Sequence, residues 1–220
     1  MPQRIDFYGN YHKALRRALF EFSARAGLLD YDDDAALARL GNELERIART
    51  LREHSTHEDA YMHPLLERYA PEVAAKMDAQ HGTLDPALDV LEEQLRNVAS
   101  SADRSAAGMA FYAAINRYIG SYLEHLADEE DVANPILWER CPHDELAESV
   151  KRFRASFAIE QVASSFEFML PALNANERAD LYKTVRDNAP RPVFETLLSV
   201  AHKTLTEADY DELQVRINCS

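Results

Sequence analysis

Six ionisable side chains occupy positions where the surrounding pattern predicts leucine or isoleucine. Apolar residues recur every three or four positions in four long segments, the spacing of a helix that buries one face. The exceptions on these faces are His12, His54, Glu58, His81, His125 and Glu129. Burying an unpaired imidazole or carboxylate costs on the order of a few kcal/mol. Mutual hydrogen bonds could satisfy two or three of these residues in a metal-free network, whereas a metal cluster would satisfy all six.

The six residues form an internal repeat. One copy is His12 followed by His54-x3-Glu58-x5-Pro64, and the other is His81 followed by His125-x3-Glu129-x5-Pro135. Residues four apart lie one turn apart on the same face of a helix. The repeat therefore predicts two similar helix pairs related by a pseudo-twofold axis, with the ionisable residues on that axis.

Four imidazoles and two carboxylates suit a pair of first-row transition ions. A glutamate can bind two ions through its two oxygens, and ions bridged in this way lie roughly 3.5–4 Å apart. Imidazole and carboxylate ligands suit iron, and helix-bundle cores hold such sites. The expected cofactor is two iron ions, with manganese or zinc as substitutes. The two cysteines, Cys141 and Cys219, are too few for a thiolate cage.

Four helices must position these residues. The apolar stripes run through residues 5–22, 37–58, 77–98 and 111–129, with breaks after Phe22, at Pro71 and between residues 99 and 105. Helices of this length with short connections predict an all-α fold, an antiparallel up-down four-helix bundle over residues 1–140.

The C-terminal third, residues 141–220, repeats none of these motifs and is expected to be a helical extension, packed on the bundle or at a dimer interface with a second copy. A loose aromatic stripe that includes Phe153 and Phe166 predicts one helix of about 25 residues. Asn174 and Glu177 are spaced as a capping box, and Thr206 is placed to cap a last short helix.

Composition excludes several classes of protein. The chain has 24 lysines and arginines against 38 aspartates and glutamates, a formal charge of −14. Such a charge disfavours nucleic acid and anionic membranes as partners. No stretch approaches the ~20 apolar residues of a membrane span, and the N-terminus lacks the apolar region of a signal peptide. We therefore expect a cytoplasmic protein.

On these motifs, over residues 5–140, the chain resembles the hemerythrin-like (HHE cation-binding) family, in the bacterial type with a C-terminal helical extension. That family holds a non-haem di-iron centre in a four-helix bundle, and the resemblance implies a bridging oxo or hydroxo between the two iron ions. The resemblance implies that His12 and His54 bind one iron, His81 and His125 bind the other, and Glu58 and Glu129 bridge the two.

The chain departs from the invertebrate oxygen carrier of this family. In the carrier, a second histidine lies four residues after the histidine that corresponds to His81, whereas this chain has Asp85 at that position. The carrier's last bridging carboxylate aligns with Glu130 rather than with Glu129. Without a second histidine at this point, the expected ligands leave coordination positions on the iron ions open for a small molecule. The expected function is binding or sensing of O2 or iron. The alternatives are a peroxide-removing enzyme of catalase or peroxidase type, and a metal-free interaction module.

Residues beside the stripes have open roles. His57, Asp85 and Glu130 could join the site or belong to its surroundings, whereas His63 is expected at the surface. Tyr118 and Tyr122 are expected to be core aromatics with paired hydroxyls, or else one donates a hydrogen bond to a ligand at the site. The acidic run at residues 32–34 predicts a helix N-terminus.

Overall fold

The computed structural model describes residues 5–219, and within that range the chain is helical with no strand. It divides into two compact units. One contains residues 5–7 together with Leu15–Arg152, and the other contains Tyr8–Ala14 together with the chain from Phe153 onward. The division into residues 1–140 and 141–220, and the partner of the extension, stay predictions.

The long helices of the first unit are those that the apolar stripes predict. In chain order, the helices up to the end of this unit are α1 (Gly9–Leu28), α2 (Asp34–Tyr61), α3 (His63–Tyr69), α4 (Pro71–Val98), α5 (Arg104–Asp128), α6 (Asn134–Arg140) and α7 (His143–Ala155). A π-helical turn, Glu129–Ala133, joins α5 to α6. The predicted fold class, an all-α bundle of hemerythrin-like type with further C-terminal helices, is confirmed.

Local chemistry sets where these helices begin. The Asp33 carboxylate accepts a hydrogen bond from the Ala36 amide (3.0 Å) at the start of α2, which confirms the predicted role of the acidic run. Asp103 caps α5 through the Ala106 amide (2.9 Å) in the same way. Prolines occupy the first turn of α3, α4 and α6, where a missing amide hydrogen is harmless.

Striped residues of α2 and α4 form part of the bundle core. α2 and α4 each contribute a column of buried leucines, namely Leu37, Leu40, Leu44 and Leu51 on α2 and Leu84, Leu88, Leu91 and Leu95 on α4. α4 remains helical through Pro86. The columns continue directly into the ionisable positions, so the same packing that buries leucine also buries histidine and glutamate.

The second unit has its own core. Its helices are α8 (Ile159–Met169), α9 (Ala175–Asn188), α10 (Arg191–Thr204) and α11 (Glu207–Asn218). Phe166, Leu170, Tyr182, Leu197, Ala201, Leu213 and Ile217 form one buried cluster. The capping box between Asn174 and Glu177 and the Thr206 cap are present as predicted.

The single helix predicted around Phe153 and Phe166 is wrong. α7 ends at Ala155 and α8 starts at Ile159. Ala158 between them is extended, with ψ 157°, and its amide donates to the side chain of Gln161 (2.9 Å). Apolar spacing continues across this break, so periodicity alone does not reveal it.

Within residues 5–219, no helix combines the length and the apolar character that a membrane span requires.

Candidate metal centre

All six residues that interrupt the stripes are buried. Their exposed fractions do not exceed 8%, so each side chain has left bulk water. The six are His12, His54, Glu58, His81, His125 and Glu129. Side chains of this kind need compensating partners in the interior.

These residues converge in two overlapping groups. In each group, one potential ligand atom per residue lies within 4.8 Å of the others. The groups are His12, His54, Glu58 and Glu129, and Glu58, His81, His125 and Glu129. His12, in the first group, lies on helix α1. Both carboxylates are common to both groups, and each group adds two histidines of its own.

Helical geometry places each histidine–glutamate pair. On α2, the Nε2 atom of His54 lies 3.0 Å from Oε1 of Glu58, one turn further along. At the end of α5, Nε2 of His125 lies 3.5 Å from Oε2 of Glu129. The Glu129 amide still bonds to the His125 carbonyl, and the π-helical turn begins at this residue. Single π turns within helices are frequent at functional sites, and the repeat did not predict this one.

His81 and His125 face each other through their Nε2 atoms, which lie 3.1 Å apart. The Nδ1 atom of His81 lies 3.0 Å from Oδ1 of Asp59, a carboxylate that can only accept. The Nδ1 atom of His125 lies 3.1 Å from Oε1 of Gln80, whose amide nitrogen donates to Asp128 (2.7 Å). Both rings therefore carry their hydrogen on Nδ1 when neutral.

This tautomer has a direct consequence for the centre. With hydrogen on both Nδ1 atoms, the two Nε2 lone pairs face each other at 3.1 Å, and each Nε2 atom also lies 3.5 Å from a buried glutamate oxygen. Like lone pairs at that distance require a proton or a cation between them. Metal-binding histidines are held in this way, with the second ring nitrogen donating to a carboxylate or carbonyl. The residues present thus fit a bound metal.

The electrostatics of the centre agree with this interpretation. Burial, reinforced by the neighbouring charge of Glu58, holds the pKa of Glu129 well above its usual range. Burial lowers the pKa of His81, but hydrogen bonds and charges from Glu58 and Asp59 outweigh it and leave that pKa raised. Glu129 and His81 therefore retain protons beside the other buried carboxylates, and a bound metal cation would replace these protons.

The flanking residues with open roles lie outside both groups. Glu130 pairs with Arg16 through two hydrogen bonds (2.6 and 2.9 Å). Asp85 accepts a hydrogen bond from Ser55 (3.2 Å), so Asp59 rather than Asp85 orients His81. His57 is half-buried, and burial lowers its pKa.

Two tyrosines continue the α5 stripe towards the centre. The rings of Tyr118 and Tyr122 are stacked with centroids 5.8 Å apart, and the Tyr122 ring lies 5.8 Å from that of His125. The Tyr118 hydroxyl is buried and has no hydrogen-bond partner within residues 5–219, so the predicted pairing of this hydroxyl is wrong. Burial raises the pKa of both tyrosines, which therefore keep their protons.

Sequence reasoning missed Asp59 and Gln80 in this region, and it misplaced His63. Asp59 and Gln80 lie beside Glu58 and His81 in the sequence but off the buried stripe, and adjacency to a striped residue is their only signal. His63 was expected at the surface and is buried instead, with 6% exposure. α2 ends at Tyr61 and α3 starts at His63, so extending the α2 face misplaces this ring.

A family model for the hemerythrin HHE cation-binding domain matches residues 4–137. The match covers more than half of the chain, which therefore belongs to this family. The buried histidines and glutamates accordingly fit a metal-binding site. No curated protein and no solved structure gives a significant match.

Proposed function

We propose that the chain is a non-haem di-iron-binding protein that binds or senses O2 or iron through a carboxylate-bridged centre. His12 and His54 would hold one ion, and His81 and His125 the other. Glu58 and Glu129 would bridge the two ions.

The observation that carries this proposal is the approach of the Nε2 atoms of His81 and His125 to 3.1 Å beside the buried carboxylates of Glu58 and Glu129. Because Glu58 and Glu129 belong to both groups, two ions rather than one match the arrangement of donors. A glutamate with one oxygen on each ion is the usual bridge in such pairs.

The donor set favours a first-row transition metal such as iron over calcium or magnesium. Calcium and magnesium prefer oxygen ligands, whereas two imidazoles for each ion suit a first-row transition metal. Neither group contains a cysteine, so the thiolate ligands of structural zinc sites are missing from both. When bound, two iron ions would supply one-electron chemistry towards O2 or peroxide.

The surrounding residues would hold the ligands for that chemistry. Asp59 and Gln80 keep the Nδ1 hydrogens of His81 and His125 in place, so that Nε2 remains available. Tyr122 is buried near both glutamates, and its ring lies 5.8 Å from that of His125. The centre is thus shielded from bulk water, which strengthens each electrostatic interaction within it.

Anaerobic loading with Fe(II) tests the proposal. The wild-type protein should bind two equivalents of iron and develop the optical bands of an oxo-bridged ferric pair after exposure to air. His125→Ala should lose these bands, because one ion loses a ligand. Wild-type protein that binds no iron, or one equivalent without these bands, would overturn the proposal.

The same iron-loaded protein separates binding from catalysis. In the described chain neither group contains Asp85 or His57, which is compatible with access for a small molecule. Oxygen evolution from hydrogen peroxide above the rate of free iron, and lost in His125→Ala, would favour the peroxide-removing enzyme. A rate equal to that of free iron would favour binding or sensing.

A further inference from the structure

A second set of possible metal ligands lies beside the buried centre. Asp59 on α2, His63 at the start of α3 and Asp78 on α4 each present a ligand atom, and these atoms lie within 4.8 Å of one another. Nε2 of His63 is 2.9 Å from Oδ1 of Asp78. The proposed di-iron centre uses neither His63 nor Asp78.

His63 provides an independent indication of a ligand. Its side chain is only 8% exposed, yet its Nε2 atom has no hydrogen bond of acceptable geometry to any described residue. The Asp78 oxygen is close enough but is not aligned with the ring nitrogen. A buried nitrogen that faces two carboxylates without a proper hydrogen bond matches a metal ligand better than a simple ion pair.

The chemistry of this trio differs from that of the buried centre. The carboxylates are open to water, with side-chain exposures of 53% for Asp59 and 62% for Asp78. One imidazole and two carboxylates suit a first-row divalent cation, with water at the remaining positions. Because the site has three protein ligands and an open face, it should bind more weakly than the buried centre and exchange readily.

We propose that Asp59, His63 and Asp78 form an outer site for one first-row divalent cation, next to the buried centre. Asp59 is shared, because its carboxylate also accepts the Nδ1 hydrogen of His81 at 3.0 Å. The outer site does not depend on which metal the buried centre holds, nor on whether that centre reacts with O2.

Calorimetric titration of the metal-free full chain with Zn²⁺ tests this proposal. The wild-type protein should show tight binding at the buried centre and one further, weaker equivalent. Asp78→Asn should weaken that equivalent by about tenfold or more, since losing a ligand costs at least what losing a supporting residue does. The substitution is at an exposed position, so folding should be preserved.

The matched control is Asp89→Asn, which removes the same charge from the same helix at a side chain that is 77% exposed and pairs with Arg52. It should leave the weaker equivalent unchanged. His63→Gln should reproduce the effect of Asp78→Asn without altering the formal carboxylate charge. A crystal soaked in Zn²⁺ should give anomalous density between the three side chains.

The outer site is refuted if wild type shows no weaker equivalent, or if that equivalent survives Asp78→Asn with its affinity unchanged. Failure of the di-iron proposal looks different. In that case Fe(II) loading of the wild-type protein gives no bands of an oxo-bridged ferric pair, while the weaker Zn²⁺ equivalent and its sensitivity to Asp78→Asn persist. The Fe(II) and Zn²⁺ experiments therefore test the two proposals separately.

Discussion

Arg16 holds Glu130 by two parallel hydrogen bonds, from Nη1 to Oε1 at 2.6 Å and from Nη2 to Oε2 at 2.9 Å. Paired guanidinium and carboxylate groups of this geometry are among the strongest polar contacts in proteins. Glu130 therefore points to Arg16, whereas Glu129, its neighbour in the sequence, belongs to both groups of buried potential metal ligands. Adjacent glutamates thus have different surroundings, and substituting each in turn should give different results.

Glu129→Gln should abolish or strongly weaken binding of the second iron, because an amide is a poorer bridging ligand than a carboxylate. Glu130→Gln should retain two equivalents of iron, because its partner is Arg16. Elemental analysis after anaerobic loading compares the two variants. Equal iron contents in both variants would contradict the assignment of Glu129 as the bridge.

Gln80→Ala should lower the iron affinity of the centre by about tenfold, the lower end of the range for a residue that orients a ligand. The substitution removes the acceptor of the His125 Nδ1 hydrogen and leaves His125 itself in place. Gln94→Ala on the same helix is the control and should not change the affinity. Competition with a chelator of known affinity measures both, and an unaltered Gln80→Ala protein would exclude this positioning role.

Much of the bundle and the centre was predictable because the buried positions of a helix recur every three or four residues. Helical spacing alone identifies the faces that become the core, and the fold buries all six of the exceptions on those faces. The second unit was predictable at its caps, where Asn174 and Thr206 act through bonds to amides two or three residues away. Local chemistry of this kind leaves a clear trace in sequence.

The other features depend on contacts between distant helices. Asp59 supports His81, and Gln80 supports His125, through side chains on different helices. His63 is buried because α2 ends at Tyr61 and the chain turns into α3, and the π-helical turn at Glu129 leaves no periodic signature. Such features follow from how the helices pack, which helix periodicity does not specify.

Iron affinity should rise with pH between pH 5 and pH 8. Burial and Glu58 raise the pKa of Glu129, and the pKa of His81 is also raised, so both groups keep protons that metal must displace. Because the pKa of His81 lies above the ordinary histidine value of about 6.5, protons compete with the metal from above that pH downward, and lowering the pH weakens binding further. Iron content at a buffered free-metal concentration measures this dependence, and a content independent of pH would contradict histidine ligation.

Removing the metal should lower the thermal stability of the protein. A ligand present at 100 times its Kd stabilises the folded state by about 2.7 kcal/mol, which corresponds to a decrease in Tm of roughly 5–10 °C for a chain of this size. Calorimetric melting before and after chelation tests this, with His125→Ala as the control that should show a smaller shift. Identical melting of the wild-type protein with and without chelator would favour the metal-free interaction module.

Two glycines of α5 should respond in opposite ways to replacement by alanine. A Cβ at buried Gly108 would overlap the ring of Tyr31, which is itself buried and donates from its hydroxyl to the Ala26 carbonyl (3.0 Å). Since that ring has little room to move, Gly108→Ala should destabilise the protein by about 1–3 kcal/mol, as overpacking does. A Cβ at exposed Gly120 would meet nothing within 4 Å.

Gly120→Ala should therefore stabilise the protein by about 0.5–1 kcal/mol, because alanine loses less backbone entropy than glycine when the helix forms. Urea denaturation of the two variants, followed by circular dichroism, gives both free energies of unfolding on one scale. Because the substitutions are identical and lie in the same helix, helix propensity cancels in their comparison. What remains is the contact with Tyr31, and Gly108→Ala as stable as Gly120→Ala would show that Tyr31 does not pack against α5 at this position.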